Sequence, residues 1–143
     1  PYGYDERQYN SPGFRIPIGS MMRSRFGEFP EYHTSADNLS FVSKEHLAGS
    51  LDAVRAIVDV LEGDRTYVNL APFAEPQLGK RGLYGAMGGH RNIPDLNLAM
   101  LWVLTMSDGT NSLIDIAERS KMPWTSIRKA ADLLEEGGLL RAE

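Results

Sequence analysis

Apolar residues recur at spacings of three and four along Leu47, Leu51, Val54, Val58 and Leu61, the pattern of one helix face. Ser43 stands where an N-cap belongs and Gly63 where the helix should stop. "RTYVNLAPF", residues 65–73, is β-branched and aromatic enough for one short strand ahead of Pro72. Residues 75–94, "EPQLGKRGLYGAMGGHRNIP", hold too many glycines and prolines for regular structure and read as a basic connector. Three helices are expected beyond it. Asp95 can cap the first, which carries Leu98, Leu101, Trp102 and Leu104 and ends at "SDG", 107–109. Ser112 caps the second, "LIDIAERS", and the third, "PWTSIRKAADLLEE", has Pro123 near its first turn. Gly137 and Gly138 stop the third helix, and Leu139 and Leu140 lead into a short strand. Across the "KMP" turn, Ile116, Ala117, Ile127 and Leu134 are the expected core contacts.

The first 42 residues have no such period. They hold "GYD", "SPG", "IPIG" and "FGEFPEY", which are turn signals separated by short apolar pieces. A run of this length without periodicity is either a loop that builds a site or a disordered tail. Eight aromatics between Tyr2 and Phe41 favour the loop, resting on a scaffold upstream of Pro1.

Composition and charge narrow the function. A chain of 143 residues, 42% hydrophobic, can bury one modest core or two small ones. No stretch approaches the roughly 18 apolar residues of a membrane span, and nothing near Pro1 reads as a signal sequence, so no membrane role is expected. The net charge of -4 argues against a protein that mainly neutralises phosphates. Without cysteine, any metal must be held by His, Asp and Glu, and a cytoplasmic location fits.

The second and third C-terminal helices have the layout of a helix-turn-helix, and the unit 95–143 is similar to a small winged helix. It carries five basic residues (Arg119, Lys121, Arg128, Lys129, Arg141) against eight acidic ones, a balance that disfavours DNA. Trp124, Thr125 and Ser126, followed by Arg128 and Lys129, open the helix that would enter a groove, so DNA binding stays as the alternative. A protein partner, or self-association through the winged helix, is expected before nucleic acid.

The three histidines are His33 in the loop, His46 beside the apolar stripe, and His90 in the connector. No pair stands at the i, i+4 spacing of a helical zinc site, and there is no H-E-x-x-H, G-x-S-x-G or phosphate loop. His46 and His90 are most simply solvated, and spacing alone would leave His33 a polar loop residue.

"GYDERQYNSPGFRIPIGSMMRSRFGEFPEYHTSADNL" resembles the closing segment of the co-catalytic zinc aminopeptidase superfamily. There a Gly-x-Asp turn precedes a Gly-x-Pro stretch and then a (Y/F)HT-x-x-D motif ahead of a long helix. "DERQY", "PEYHTSADNL", "EPQLGKRGLY" and the terminal winged helix together resemble, more closely, the aminopeptidase-like proteins associated with polysaccharide biosynthesis. The resemblance implies an α/β architecture: residues 1–74 end a zinc-peptidase-like α/β domain, 75–94 connect, and 95–143 form a small, mostly α winged helix. It implies zinc as cofactor with His33 as a ligand, and a peptide or amino-acid-derived small substrate. Asp5 falls at the acidic turn that lines the substrate pocket. Arg7, Tyr9, Arg23 and Arg25 lie in the segment that passes the cleft, where a guanidinium can pair with a substrate carboxylate. Arg7 is the strongest of these, and Arg23 and Arg25 read as solvated.

A zinc-bound imidazole usually donates its other ring N–H to a carboxylate or carbonyl. Asp37 or Glu31 could accept it, although Asp37 serves equally as the cap of the turn "NLSF". Thr34 and Ser35 would brace the loop. The superfamily's other ligands, from an His-x-Asp motif, a Glu-Glu pair and a further Asp, all precede the matched turn. This sequence has no His-x-Asp, and its Glu135-Glu136 pair ends the last helix, so it is a decoy. One imidazole does not hold a catalytic zinc, so this stretch alone should be inactive. A peptidase scaffold that only binds its ligand is the remaining alternative.

Overall fold

The computed structural model describes residues 3–83 and 95–143. They divide into two compact units, Pro1–Arg55 and Ala56–Glu143.

The first unit holds a short helix α1, Asp5–Tyr9, and the greater part of the long helix α2, Lys44–Gly63. Turns fill the sequence between them, and the described residues of this unit form no strand, so the α/β layering expected here is not formed by these residues. Ser43 caps α2 as expected: its Oγ accepts from the His46 N–H at 3.1 Å. Between the helices, Asn10 donates from Nδ2 to the carbonyls of Glu6 and Ile18, both at 2.7 Å, and closes the turn that follows α1. The apolar stripe of α2 is bare: Leu47, Leu51, Val54, Ile57, Val58 and Leu61 are 43 to 63% exposed.

The second unit is built on an antiparallel sheet in the order β2-β1-β3. Its strands are β1 (Thr66–Asn69), β2 (Asp108–Ser112) and β3 (Leu140–Ala142). β1 pairs with β2 through Thr66 and Ser112 and with β3 through Val68 and Arg141. Three helices cover it: α3 (Leu96–Met106), α4 (Leu113–Ser120) and α5 (Trp124–Glu136). α3 is apolar nearly all round, the composition of a helix that lies within a core. Its Met100 and Val103 are buried with Leu113, Ile116, Ile127 and Leu134. Ile116, Ile127 and Leu134 thus take the core positions expected of them, and Ala117 packs at the edge.

Local chemistry sets the boundaries. A capping box opens α4: the Ser112 Oγ accepts from the Asp115 N–H, and the Asp115 carboxylate accepts from the Ser112 N–H at 2.8 Å. Asp64 adds a distant cap, accepting from the Ile114 N–H at 3.0 Å. α5 ends at Gly137, and Gly138, with φ of 67°, takes the left-handed turn into β3.

One expectation holds and two are corrected. The short strand expected ahead of Pro72 forms as β1 and ends at Asn69, whose side chain accepts from the Ala71 N–H and donates to the Leu104 carbonyl, turning the chain before Pro72. Residues 108–112 are a strand and not merely a helix stop. Asp95 occupies the N-cap position of α3 but makes no side-chain cap, because its φ of 58° places it in the left-handed region. β1 is the central strand of the winged-helix sheet, so the sheet draws on residues well ahead of Asp95. Among the described residues, no helix is long and apolar enough to cross a membrane.

Candidate functional site

His33 sits on the turn-rich loop of the first unit, and backbone geometry projects it. Its φ of 58° is left-handed, a conformation that histidine tolerates better than most side chains. The imidazole stacks on Tyr32, with centroids 3.9 Å apart and planes 16° from parallel. Tyr32 in turn meets Phe29 edge-on at 5.6 Å and Phe26 at 5.9 Å, and Phe29 stacks on Phe41 at 5.9 Å. The aromatics of "FGEFPEY" therefore form one ladder that ends on the histidine, and it fixes the ring plane by contact area.

Hydrogen bonds hold the backbone on either side. The Thr34 hydroxyl donates to the Glu31 carbonyl at 2.8 Å and accepts from the Ala36 N–H at 3.2 Å. The turn expected to be capped by Asp37 is instead capped by Asn38, whose Oδ1 accepts from the Ser40 N–H and hydroxyl and whose amide donates to the Ser35 carbonyl. The neighbouring amide takes the role because its oxygen reaches forward while its nitrogen reaches back, which a carboxylate cannot match. Among the described residues, neither Asp37 nor Glu31 hydrogen-bonds to His33 through its side chain.

Asp5, Arg7 and Tyr9 lie on the single turn of α1, all exposed. Asp5 and Arg7 are two residues apart, a spacing that does not bring helical side chains together; Arg7 lies over the Tyr4 ring, 5.9 Å from its centroid. No hydrogen bond or ion pair joins these three to His33 among the described residues. Arg25 makes an exposed pair with Glu28 at 3.7 Å, in keeping with the solvated role expected for it. Arg23 does more. Its guanidinium donates to the His46 carbonyl at 3.2 Å, on the wall of a cleft of about 410 Å³ that also takes in Phe29, Phe41, Val42 and Leu47. Nothing in the local sequence around Arg23 signals this.

Among the described residues, no three His, Asp or Glu side chains converge to hold a metal ion. His33 can offer one nitrogen donor, and the described residues do not complete a zinc site. Glu135 is accounted for elsewhere: it accepts from the Tyr67 hydroxyl at 3.1 Å. Burial, that hydrogen bond and the nearby carboxylates push the Tyr67 phenol above its ordinary pKa. His90 and most of the connector lie outside the described residues.

Two of the α5 residues that would read DNA, Trp124 and Arg128, are engaged within their own unit, while Thr125 is exposed. Arg128 pairs with Asp132 at 3.0 Å, half-buried. Gly63 lies against Arg128 and Trp124, so closely that an added Cβ would meet the guanidinium and fall 3.1 Å from Trp124 Cζ2.

Comparison with known proteins divides the chain between two family models. Residues 1–64 match a family model described as a domain of unknown function, DUF4910. A protein of Clostridium acetobutylicum, provisionally named a polysaccharide biosynthesis protein with aminopeptidase-like domain, is 51% identical over 141 residues. That alignment covers 99% of this chain and 32% of the relative, so the chain spans about a third of the relative's length. A 2.37 Å crystal structure from the same organism, of a protein provisionally named a peptidase, superposes with a TM-score of 0.85 at 46% identity, covering 99% of this chain and 30% of the other. Residues 65–142, more than half of the chain, match the winged helix-turn-helix model, and the chain belongs to that family.

Proposed function

We propose that this chain supplies one zinc ligand, His33, and part of the substrate pocket to a longer zinc-dependent aminopeptidase-like hydrolase. The observation that carries the reading is the aromatic ladder from Phe41 to Tyr32, which holds an exposed imidazole at a fixed angle on a hydrogen-bonded loop. The likeness to a relative named for an aminopeptidase-like domain supports it. Zinc, when bound, polarises a scissile carbonyl and activates water. His33 contributes one neutral nitrogen, and the Tyr32 stack keeps the ring from swinging away. Arg7 binds a carboxylate of a peptide or amino-acid-derived substrate, with Asp5 and Tyr9 beside it on α1. In this reading Asp37, whose side chain does not cap the turn, is the carboxylate that orients the imidazole. By itself the chain is inactive in this reading, because a catalytic zinc needs about three protein ligands.

The winged helix serves packing or protein contact, since Arg128 is neutralised by Asp132 and held against Gly63. A mobility assay with duplex DNA at low salt should show no retardation. In the longer protein, His33→Ala should lower zinc per chain, measured by elemental analysis on folded, dialysed protein; unchanged zinc would remove His33 from the site.

A further inference from the structure

We infer that the winged helix pairs with a second copy of itself, the exposed Phe73 of each copy entering the cleft beside α3 of the other. The inference rests on the reading above only in taking the winged helix as a surface for protein contact, and no part of it passes through His33.

The surface lies wholly within residues 65–142, the stretch that matches the winged helix-turn-helix model. α3 carries no charged residue between Leu96 and Met106. One side of it is spent on the core through Ala99, Met100 and Val103, while Leu98 and Leu101, 48 and 39% exposed, stand on the other at a spacing of three. A helix at a protein surface usually turns polar residues to water, and here Asn97 and Thr105 are the exposed polar positions. Along that side runs a cleft of about 360 Å³, between Leu101, Leu104 and Thr105 on α3 and Pro72, Ala74 and Pro76 on the chain that leaves β1. Phe73 sits between two of these lining residues, yet it is 93% exposed, so its ring projects from the rim away from its own cleft.

Three features choose a second copy as the occupant. An apolar cavity of about 150 Å³ already holds a benzene ring, so this cleft has room for a phenylalanine side chain. Knob and hole thus lie side by side on one surface, and a two-fold axis brings each onto the other, so that the contact is made twice. An unrelated partner would use only one of them. The lack of charge along α3 matters for the same reason: near a two-fold axis a charged residue faces its own sign, and an uncharged helix avoids that repulsion. Glu75, the charged residue on the cleft, is exposed and can turn to water. With the exposed Pro72, Ala74, Asn97 and Thr105 around them, Phe73, Leu98 and Leu101 offer on the order of 600 Å² per copy, the lower end of what a stable dimer buries.

The test uses the longer protein. Sedimentation velocity over a dilution series should show a dimer, and Phe73→Asp should raise its dissociation constant at least about 100-fold. Because Phe73 touches little of its own copy, the variant should keep the thermal midpoint of the parent, which separates loss of pairing from loss of folding. A benzophenone-bearing residue placed at position 73 should cross-link on irradiation to the Leu96–Met106 peptide of a second chain, doubling the mass on a denaturing gel. A monomer at every concentration, or a dimer that Phe73→Asp leaves intact, would overturn the proposal. A cross-link confined to one chain would overturn the occupant in favour of the aminopeptidase-like part. Should Phe73→Asp fail to fold, Phe73→Ala gives the same reading without an introduced charge. Zinc per chain should be the same in parent and variants, so failure of the pairing and failure of the metal site are told apart.

Discussion

α2 and α5 carry the same kind of stripe, and only one of them is covered. In α5, Ile127, Ala130, Ala131 and Leu134 are fully buried against α3 and the sheet, while Leu47, Leu51, Val54 and Val58 of α2 lie open. Both helices form where the spacing says they should. Periodicity therefore identifies the face that seeks a partner, and says nothing about whether the partner belongs to the same stretch of chain. The second unit closes because three helices and a sheet supply one another's cover; the first unit has the greater part of α2, a short α1 and turns.

Substitutions can break or sharpen this contrast. The largest effect should come from Leu134→Ala, which opens a cavity in the closed core and should cost about 2–5 kcal/mol in chemical denaturation. Leu51→Ala in the same 143-residue chain removes a half-exposed side chain and should stay within about 0.5 kcal/mol. Equal losses at the two positions would erase the distinction between the units.

Tyr67→Phe should cost about 1.5 kcal/mol, since the hydroxyl that donates to Glu135 is lost from the sheet's central strand. Its pH dependence has a definite sign. Because the folded phenol titrates above the ordinary tyrosine value, its contribution is complete below that value and disappears as pH rises through the higher folded one. Ultraviolet absorbance during an alkaline titration should show one tyrosine ionising late, and Tyr67→Phe should remove it. Ser112→Ala, which removes half of the capping box of α4, should have a smaller effect than the Leu134 and Tyr67 substitutions and lower stability by about 0.5–1 kcal/mol. The loss should appear in the denaturation midpoint with an unchanged slope.

Where the signal was local, the sequence was readable. Ser43 and Ser112 cap their helices through their own side chains, and Gly137 and Gly138 end α5 as glycines there should. β2 was not readable, because "DGTNS" has no strand composition; it becomes a strand by pairing with β1, far away in sequence. What local chemistry it has points to a turn: the Asp108 carboxylate, held below its ordinary pKa, accepts from the Thr110 hydroxyl and N–H. Asp95 misled because the residue type fits a cap, whereas its left-handed backbone turns the side chain away from one. In the candidate site, the order of motifs singled out His33, but the ladder behind it depends on Phe26, Phe29 and Phe41 meeting in space. Asn38 in place of Asp37 is a matter of which neighbour has both a donor and an acceptor, and the two residues are interchangeable in a turn statistic.

The zinc reading has one direct measurement. A crystal of the longer protein, grown with zinc and measured on both sides of the zinc absorption edge, should place an anomalous peak about 2.0–2.1 Å from a His33 ring nitrogen. Protein carboxylates or a second histidine from outside this chain should complete the shell. A zinc site fully ligated without His33, with the imidazole still stacked on Tyr32 and turned to solvent, would contradict it.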